Sequence, residues 1–125
     1  MWVYEIATGR MLKPDGSLLA VGYSGNGIGK NNTAYQATIN VGPLPMGSYE
    51  IGSPGDSGQM GPHVMELWPY LSNEMWGRSG LFIHGDSISD PGNASDGCIV
   101  LPLAARQAIS SSGDYELEVV SGLMS

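Results

Sequence analysis

Gly80-Leu81-Phe82-Ile83-His84-Gly85-Asp86 and, beyond a loop rich in Ser, Gly and Asn, Ala94-Ser95-Asp96-Gly97-Cys98-Ile99-Val100 are the two stretches on which the reading of this chain turns. Each is a short apolar run bounded by turn-forming residues, the pattern of a buried strand. With Leu81 to His84 and Cys98 to Leu101 as neighbouring strands, one loop carries a base at its start and a thiol at its end, and the two can come within hydrogen-bond reach. A free thiol titrates near about 8.5, whereas one paired with an imidazole or set among converging N–H groups becomes mostly thiolate at neutral pH. Gly97, without a Cβ, lets the backbone turn sharply before the nucleophile and aim N–H groups at a developing oxyanion.

Working outward, Trp2 to Ile6 and Leu18 to Tyr23 are predicted strands, joined as a hairpin through the tight turn Lys13-Pro14-Asp15-Gly16. Ser24 to Asn32 is predicted as a surface loop leading to a strand near Tyr35 to Val41. Its Gly25, Gly27 and Gly29 do not make a phosphate loop, because no Lys-Ser/Thr pair or helix pattern follows. Gly42-Pro43-Leu44-Pro45-Met46-Gly47 reads as a rigid turn before a strand over Ser48 to Ile51, and Ser53 to Pro62 as a loop. His63 to Trp68 reads as a further strand, followed by an irregular connection over Pro69 to Gly80. One helix is predicted after Pro102, with Ala105, Ala108 and Ile109 on one face and Gly113 beyond its end. Tyr115 to Val120 alternates and is predicted to close the sheet. Trp68, Tyr70 and Trp76 are expected in the core rather than as a platform for sugar or peptide.

Composition narrows the function. With 125 residues, 19 Gly and 8 Pro, the chain suits a single, mostly β domain over residues 1–125 with many tight turns. No apolar run approaches the roughly 18 residues of a membrane span. A net charge of −7, with Arg10, Lys13, Lys30, Arg78 and Arg106 as the only cations, excludes a phosphate-neutralising surface and hence nucleic acid as a partner. Cys98 is the single cysteine, so it is either a small buried hydrophobe or an active thiol. Met1-Trp2-Val3-Tyr4-Glu5 lacks the cationic start and apolar stretch of a secretory signal peptide, so a target outside the cytoplasm implies export by another route.

The two opening stretches, His84-Gly85 and Ser95-x-Gly97-Cys98-Ile99, resemble the His…Ser/Thr-His-Gly-Cys signature of YkuD-type L,D-transpeptidases, and Pro45-x-Gly47-x-Tyr49 resembles the Pro-x-Gly-x-Phe/Tyr strand of the same enzymes. Gly22-Tyr23-Ser24-Gly25, Pro62-His63-Val64-Met65 and Gly77-Arg78 extend the likeness over nearly the whole chain, towards the L,D-transpeptidase effectors of type VI secretion systems and their prophage relatives. Asp96 stands where the common motif has His, and Val100 where many members have Arg, which leaves the holder of the substrate carboxylate to be found.

The resemblance implies a YkuD-like β-sandwich or partial barrel with one short helix after the catalytic cysteine. It also implies Cys98 as nucleophile, His84 as base, no cofactor and no metal. The implied substrate is the tetrapeptide stem of peptidoglycan, cleaved or exchanged in the periplasm of a target bacterium, with an immunity protein and secretion machinery as possible partners. Gly97 and Ser95 belong to the turn that presents Cys98, while Asp86, Asp96 and Gly85 are supporting candidates. Asp86 can orient the imidazole or cap the loop. Arg78 and Arg106 are the carboxylate-binding candidates by elimination, although each reads first as a plain surface or structural arginine. Tyr23 and His63 complete the candidates for substrate contact, His63 beside a Pro reading first as structural. The alternatives are a zinc amidase or peptidase with His63, His84 and Cys98 as ligands, and an inactive wall-binding or phage structural module.

Overall fold

The computed structural model of the chain describes residues 1–123. Among them, ten strands and one α-helix occur in the order β1 (Trp2–Glu5), β2 (Arg10–Leu12), β3 (Leu18–Val21), β4 (Tyr23–Ser24), β5 (Gly47–Ile51), β6 (Gly55–Ser57), β7 (Gly61–Pro69), β8 (Phe82–His84), β9 (Ile99–Val100), α1 (Leu103–Ser110) and β10 (Glu116–Val120). The strands hydrogen-bond in the order β3-β2-β1-β10-β5-β7-β8-β9-β4, with β6 paired to β7. Two contacts are parallel, β1 with β10 and β8 with β9, and the rest antiparallel. The fold is thus mostly β, a mixed open sheet with one short helix, consistent with a sandwich or partial barrel.

Alternation explains the core. Trp2 and Tyr4 of β1, Tyr49 and Ile51 of β5, Met65 and Leu67 of β7, and Leu117 and Val119 of β10 all point inward, every second residue, into one cluster with Ile83, Ile99, Leu101 and Ile109. Each such side chain contributes roughly 1.5–3 kcal/mol by leaving water. The outward positions are polar or aromatic: Glu50, Trp68, Glu116 and Glu118.

Several expectations are corrected. The first hairpin joins β2 to β3 rather than β1 to β3, because Gly9 turns the chain back early and the Lys13-to-Gly16 turn, closed by Gly16 N–H to Lys13 O at 2.8 Å, follows β2. No strand forms over 35–41. Asn32 caps a 3₁₀ turn at Thr33–Tyr35, and Gly42 N–H bonds back to Thr38 O at 2.9 Å, so the segment's backbone groups are satisfied locally. The Ser53-to-Pro62 loop contains β6. The helix buries Ala105, Arg106 and Ile109, with Ala108 only half-buried. The final strand lies in the middle of the sheet, between β1 and β5. Trp68, Tyr70 and Trp76 are exposed rather than in the core.

Candidate active site

The parallel β8–β9 pair is the frame of the site. Ile83 faces Ile99 and His84 faces Val100, so Cys98, one residue before β9, lies opposite Phe82. Residues two apart on a strand share a face. His84 and Cys98 therefore project from the same face of adjacent strands, opposite to the core residues Ile83 and Ile99.

His84 is buried, and its Nδ1 lies 2.7 Å from the carbonyl oxygen of Gly85. A carbonyl can only accept, so Nδ1 carries the hydrogen and a neutral imidazole keeps its basic lone pair on Nε2. The ring is thus oriented by backbone. Asp86, expected either to orient the imidazole or to cap the loop, does the second. Its carboxylate takes hydrogen bonds from Tyr23 Oη at 2.6 Å, Ser87 N at 2.8 Å and Gly92 N at 3.1 Å. Despite partial burial, which acts the other way, these donors and Lys30 hold its pKa below the usual carboxylate value.

Tyr23 is corrected in the same way: its hydroxyl is engaged by Asp86 and by Ala94 N–H at 2.8 Å, and Lys30 Nζ sits 4.6 Å from its ring centre. Burial first, then the bond to Asp86, push its phenol up to about 12. Tyr23 closes the loop between His84 and Cys98, and its hydroxyl is engaged within the protein.

The turn before Cys98 is pinned from three sides. Buried Ser95 donates to Cys98 O at 2.6 Å and accepts from Gly25 N at 2.9 Å and Gly97 N at 3.1 Å. Ser24 donates to Gly97 O at 3.0 Å and accepts from Leu44 N at 2.8 Å, and Asn26 Nδ2 donates to Ser95 O at 2.9 Å and Asp96 Oδ1 at 3.3 Å. Neither Ser24 nor Asn26 stands out in the sequence as a site residue. The only signal is that Tyr23-Ser24-Gly25 belongs to a motif segment. Gly97 has φ +132, and a Cβ there would lie 2.1 Å from Arg78 Nη2, so only glycine fits. Because Gly97 N–H is taken by Ser95, it is not an oxyanion donor in this arrangement.

Arg78 is a structural arginine. It is buried and donates to Gln36 O at 2.7 Å, Pro43 O at 2.6 Å, Gly42 O at 3.0 Å and Asp96 O at 3.3 Å, tying the 36–43 segment to the turn before Cys98. Replacing it by Met is expected to cost about 3 kcal/mol or more, because buried carbonyls lose their donors. Denaturant unfolding measures this, and an unchanged midpoint contradicts the assignment.

Arg106 is different. Its Nε donates to Leu101 O at 3.1 Å and its Nη1 to Pro62 O at 2.6 Å and His63 O at 3.3 Å, while Nη2 packs on Gly85, where a Cβ would come within 2.6 Å. It lines a cavity of about 740 Å³ with Met60, Pro62, His84, Gly85 and Ile88. Among the described residues the ion pairs are Met1 amino with Asp114 and Arg10 with Glu5, so no carboxylate among them pairs with Arg106.

The Cys98 thiol is raised in pKa by burial, with the Asp96 carboxylate adding to this. The Phe82 N–H and Arg78 pull it back only in part. Burial thus opposes the thiolate that neighbouring donors would favour. His63, read first as structural, has its Nε2 2.6 Å from Ser110 Oγ, joining β7 to α1. Among the described residues no three His, Cys, Asp or Glu side chains converge as a metal site requires, so the zinc reading lacks its ligand set.

What the site has is a thiol and a tautomer-fixed imidazole on one sheet face, a buried arginine lining the cavity beside His84, and a turn before Cys98 that admits only glycine at 97. No curated protein and no solved structure matches the chain. A family model described as the Tlde1 domain matches residues 19–119, a span that holds His84, Cys98 and both buried arginines. The chain belongs to the Tlde1-domain family, the type VI secretion L,D-transpeptidase effectors.

Proposed function

We propose that the protein is a cysteine-dependent acyl-transfer enzyme that trims or exchanges the terminal D-amino acid of peptidoglycan tetrapeptide stems in the periplasm of a target bacterium. The observation that carries this is the His84 tautomer, Nδ1 held by Gly85 O and Nε2 left basic, on the same face as Cys98. His84 Nε2 takes the thiol proton as Sγ attacks the carbonyl carbon at the L-centre of the third stem residue. The oxyanion is met by backbone N–H groups of the turn, the Cys98 amide being nearest to the reacting carbon. When the intermediate collapses, the C–N bond breaks and the proton on Nε2 passes to the departing D-alanine amine. The thioester is then taken by water, giving carboxypeptidase products, or by an amine, giving a cross-link or exchange. Arg106, without a carboxylate partner, supplies the charge for the stem carboxylate that Val100 cannot.

The test is mass spectrometry of tetrapeptide muropeptides after incubation with the protein. D-Alanine release is expected to survive EDTA and to be lost on treatment with iodoacetamide. Because burial raises the thiol, the alkylation rate without substrate is expected to climb with pH beyond about 8.5, where an ordinary thiol is half ionised. Activity lost on chelation and restored by zinc would make the protein a metallo-amidase instead.

A further inference from the structure

The sheet face that carries Cys98 continues, strand by strand, to an aromatic patch that the chemistry above does not use. Phe82 pairs with Glu66, and Gly52 N–H bonds to Glu66 O at 2.8 Å, so Cys98, Phe82, Glu66 and Gly52 form one row across the sheet. One pair further along, Trp68 of β7 faces Glu50 of β5, which faces Glu116 of β10. Trp68 is 52% exposed and Tyr115 43%, and with Glu50, Gly52 and Pro54 they line a cavity of about 260 Å³. Gly52 shapes it. A Cβ there would stand 3.3 Å from Trp68 Nε1, so the missing side chain lets the indole settle over the strand.

We infer that this cavity is a docking site for the glycan backbone of peptidoglycan, the neutral N-acetylated amino sugars to which the stems are attached. This rests on the stem-peptide reading of the active site. Three observations select that occupant. The exposed aromatic rings suit the apolar faces of pyranose rings. Glu50 is the carboxylate lining the cavity, Glu116 lies beside it in the same row, and no cation lines the cavity, which suits hydroxyl and acetamide donors and repels an anionic polymer. The distance also fits: two strand spacings across and two residues along place Trp68 about 12 Å from Cys98. Three extended stem residues, from the sugar's lactyl group to the third carbonyl, span about 11 Å. A sugar on Trp68 therefore delivers the third stem carbonyl to the thiol.

The test uses Cys98→Ala protein, which cannot turn over, and the β-1,4-linked N-acetylglucosamine tetramer, which has no stem. Calorimetry and ¹H–¹⁵N NMR are expected to show saturable binding, with shifts confined to residues 50–54, Trp68 and Tyr115. Trp68→Ala, its spectrum otherwise native, is expected to weaken binding about tenfold, the loss of one stacked face. Tyr115→Ala serves as the second variant. In the active enzyme, Trp68→Ala lowers the ratio of kcat/KM on intact sacculi to that on free tetrapeptide by a similar factor. No saturable binding of the tetramer, or unchanged affinity in both aromatic variants, overturns the inference. Failure of the wild-type enzyme on free tetrapeptide instead overturns the stem-peptide reading, and the tetramer titration still decides the sugar site.

Discussion

Cys98→Ala is expected to remove turnover of tetrapeptide stems by about 10⁴-fold or more, and His84→Ala by about 10²- to 10⁴-fold, in kcat rather than in KM. The asymmetry follows from the thiol's state. A cysteine held as a standing thiolate would keep part of its nucleophilicity without its base, but burial, with Asp96 adding to it, shifts Cys98 towards the protonated form, so turnover gains from a proton acceptor at the moment of attack. Without His84 that acceptor is hydroxide. The residual rate of His84→Ala is accordingly expected to rise steeply with pH, while the wild-type profile stays flatter near neutrality. Both variants should fold. Cys98 is half-buried and replaced by a slightly smaller residue, and His84 lines a cavity that can take water in place of the ring. Steady-state kinetics on purified tetrapeptide muropeptides, with circular dichroism as the folding control, decides the matter. Near wild-type D-alanine release by either folded variant would falsify the pairing of Cys98 with His84.

The pair is legible in the sequence because both partners sit at the ends of one loop, and the strands that carry them are short apolar runs bounded by Gly and Ser. What supports them is not, because it comes from far along the chain. Arg78 reaches Gln36, Gly42 and Pro43, and Ser24 reaches Gly97 and Leu44, contacts that no local pattern encodes. The same distance hides the reason for Gly97. Its positive φ is a turn property that can be guessed, but the guanidinium occupying the place of its Cβ is not.

Secondary structure departs from the sequence pattern where local hydrogen bonding competes with extension. Tyr35 to Val41 contains apolar residues at strand-like intervals, yet the Asn32 cap and the Thr38 carbonyl coil it into turns. Trp68 departs from its expected place for a different reason. Val64 and Met65 are both buried, so the phase of β7 is ambiguous at its start, and only pairing with β5 shows that Trp68 faces outward with Glu50. Arg106 is reached by elimination and carries a second signal, its position on the helix face that also holds Ala105 and Ile109, where a buried arginine requires partners.

Membership of an effector family whose target is the cell wall leads to the second large effect, one on living cells. The peptidoglycan stem is complete only outside the cytoplasmic membrane, so the Cys98–His84 site has no assembled polymer to act on where the chain is synthesised. Retained in the cytoplasm of a bacterium with diaminopimelate stems, the chain is expected to leave growth unchanged. Fused to a secretory signal, it is expected to cause swelling, loss of rod shape and a fall in viable count of several orders of magnitude, because each stem trimmed or exchanged is a donor removed from cross-linking. Cys98 is the single cysteine of the chain, so an oxidising periplasm offers it no internal disulfide partner and its thiol stays free of one. Four matched strains carry the comparison: cytoplasmic and periplasmic, each with Cys98 or Cys98→Ala, assayed by viable counts, microscopy and muropeptide profiles. Toxicity confined to the periplasmic Cys98 strain, with tripeptide or exchanged stems in its wall, is the expected outcome. Equal toxicity in both compartments places the target inside the cell, and toxicity that persists in the periplasmic Cys98→Ala strain removes the thiol from the chemistry.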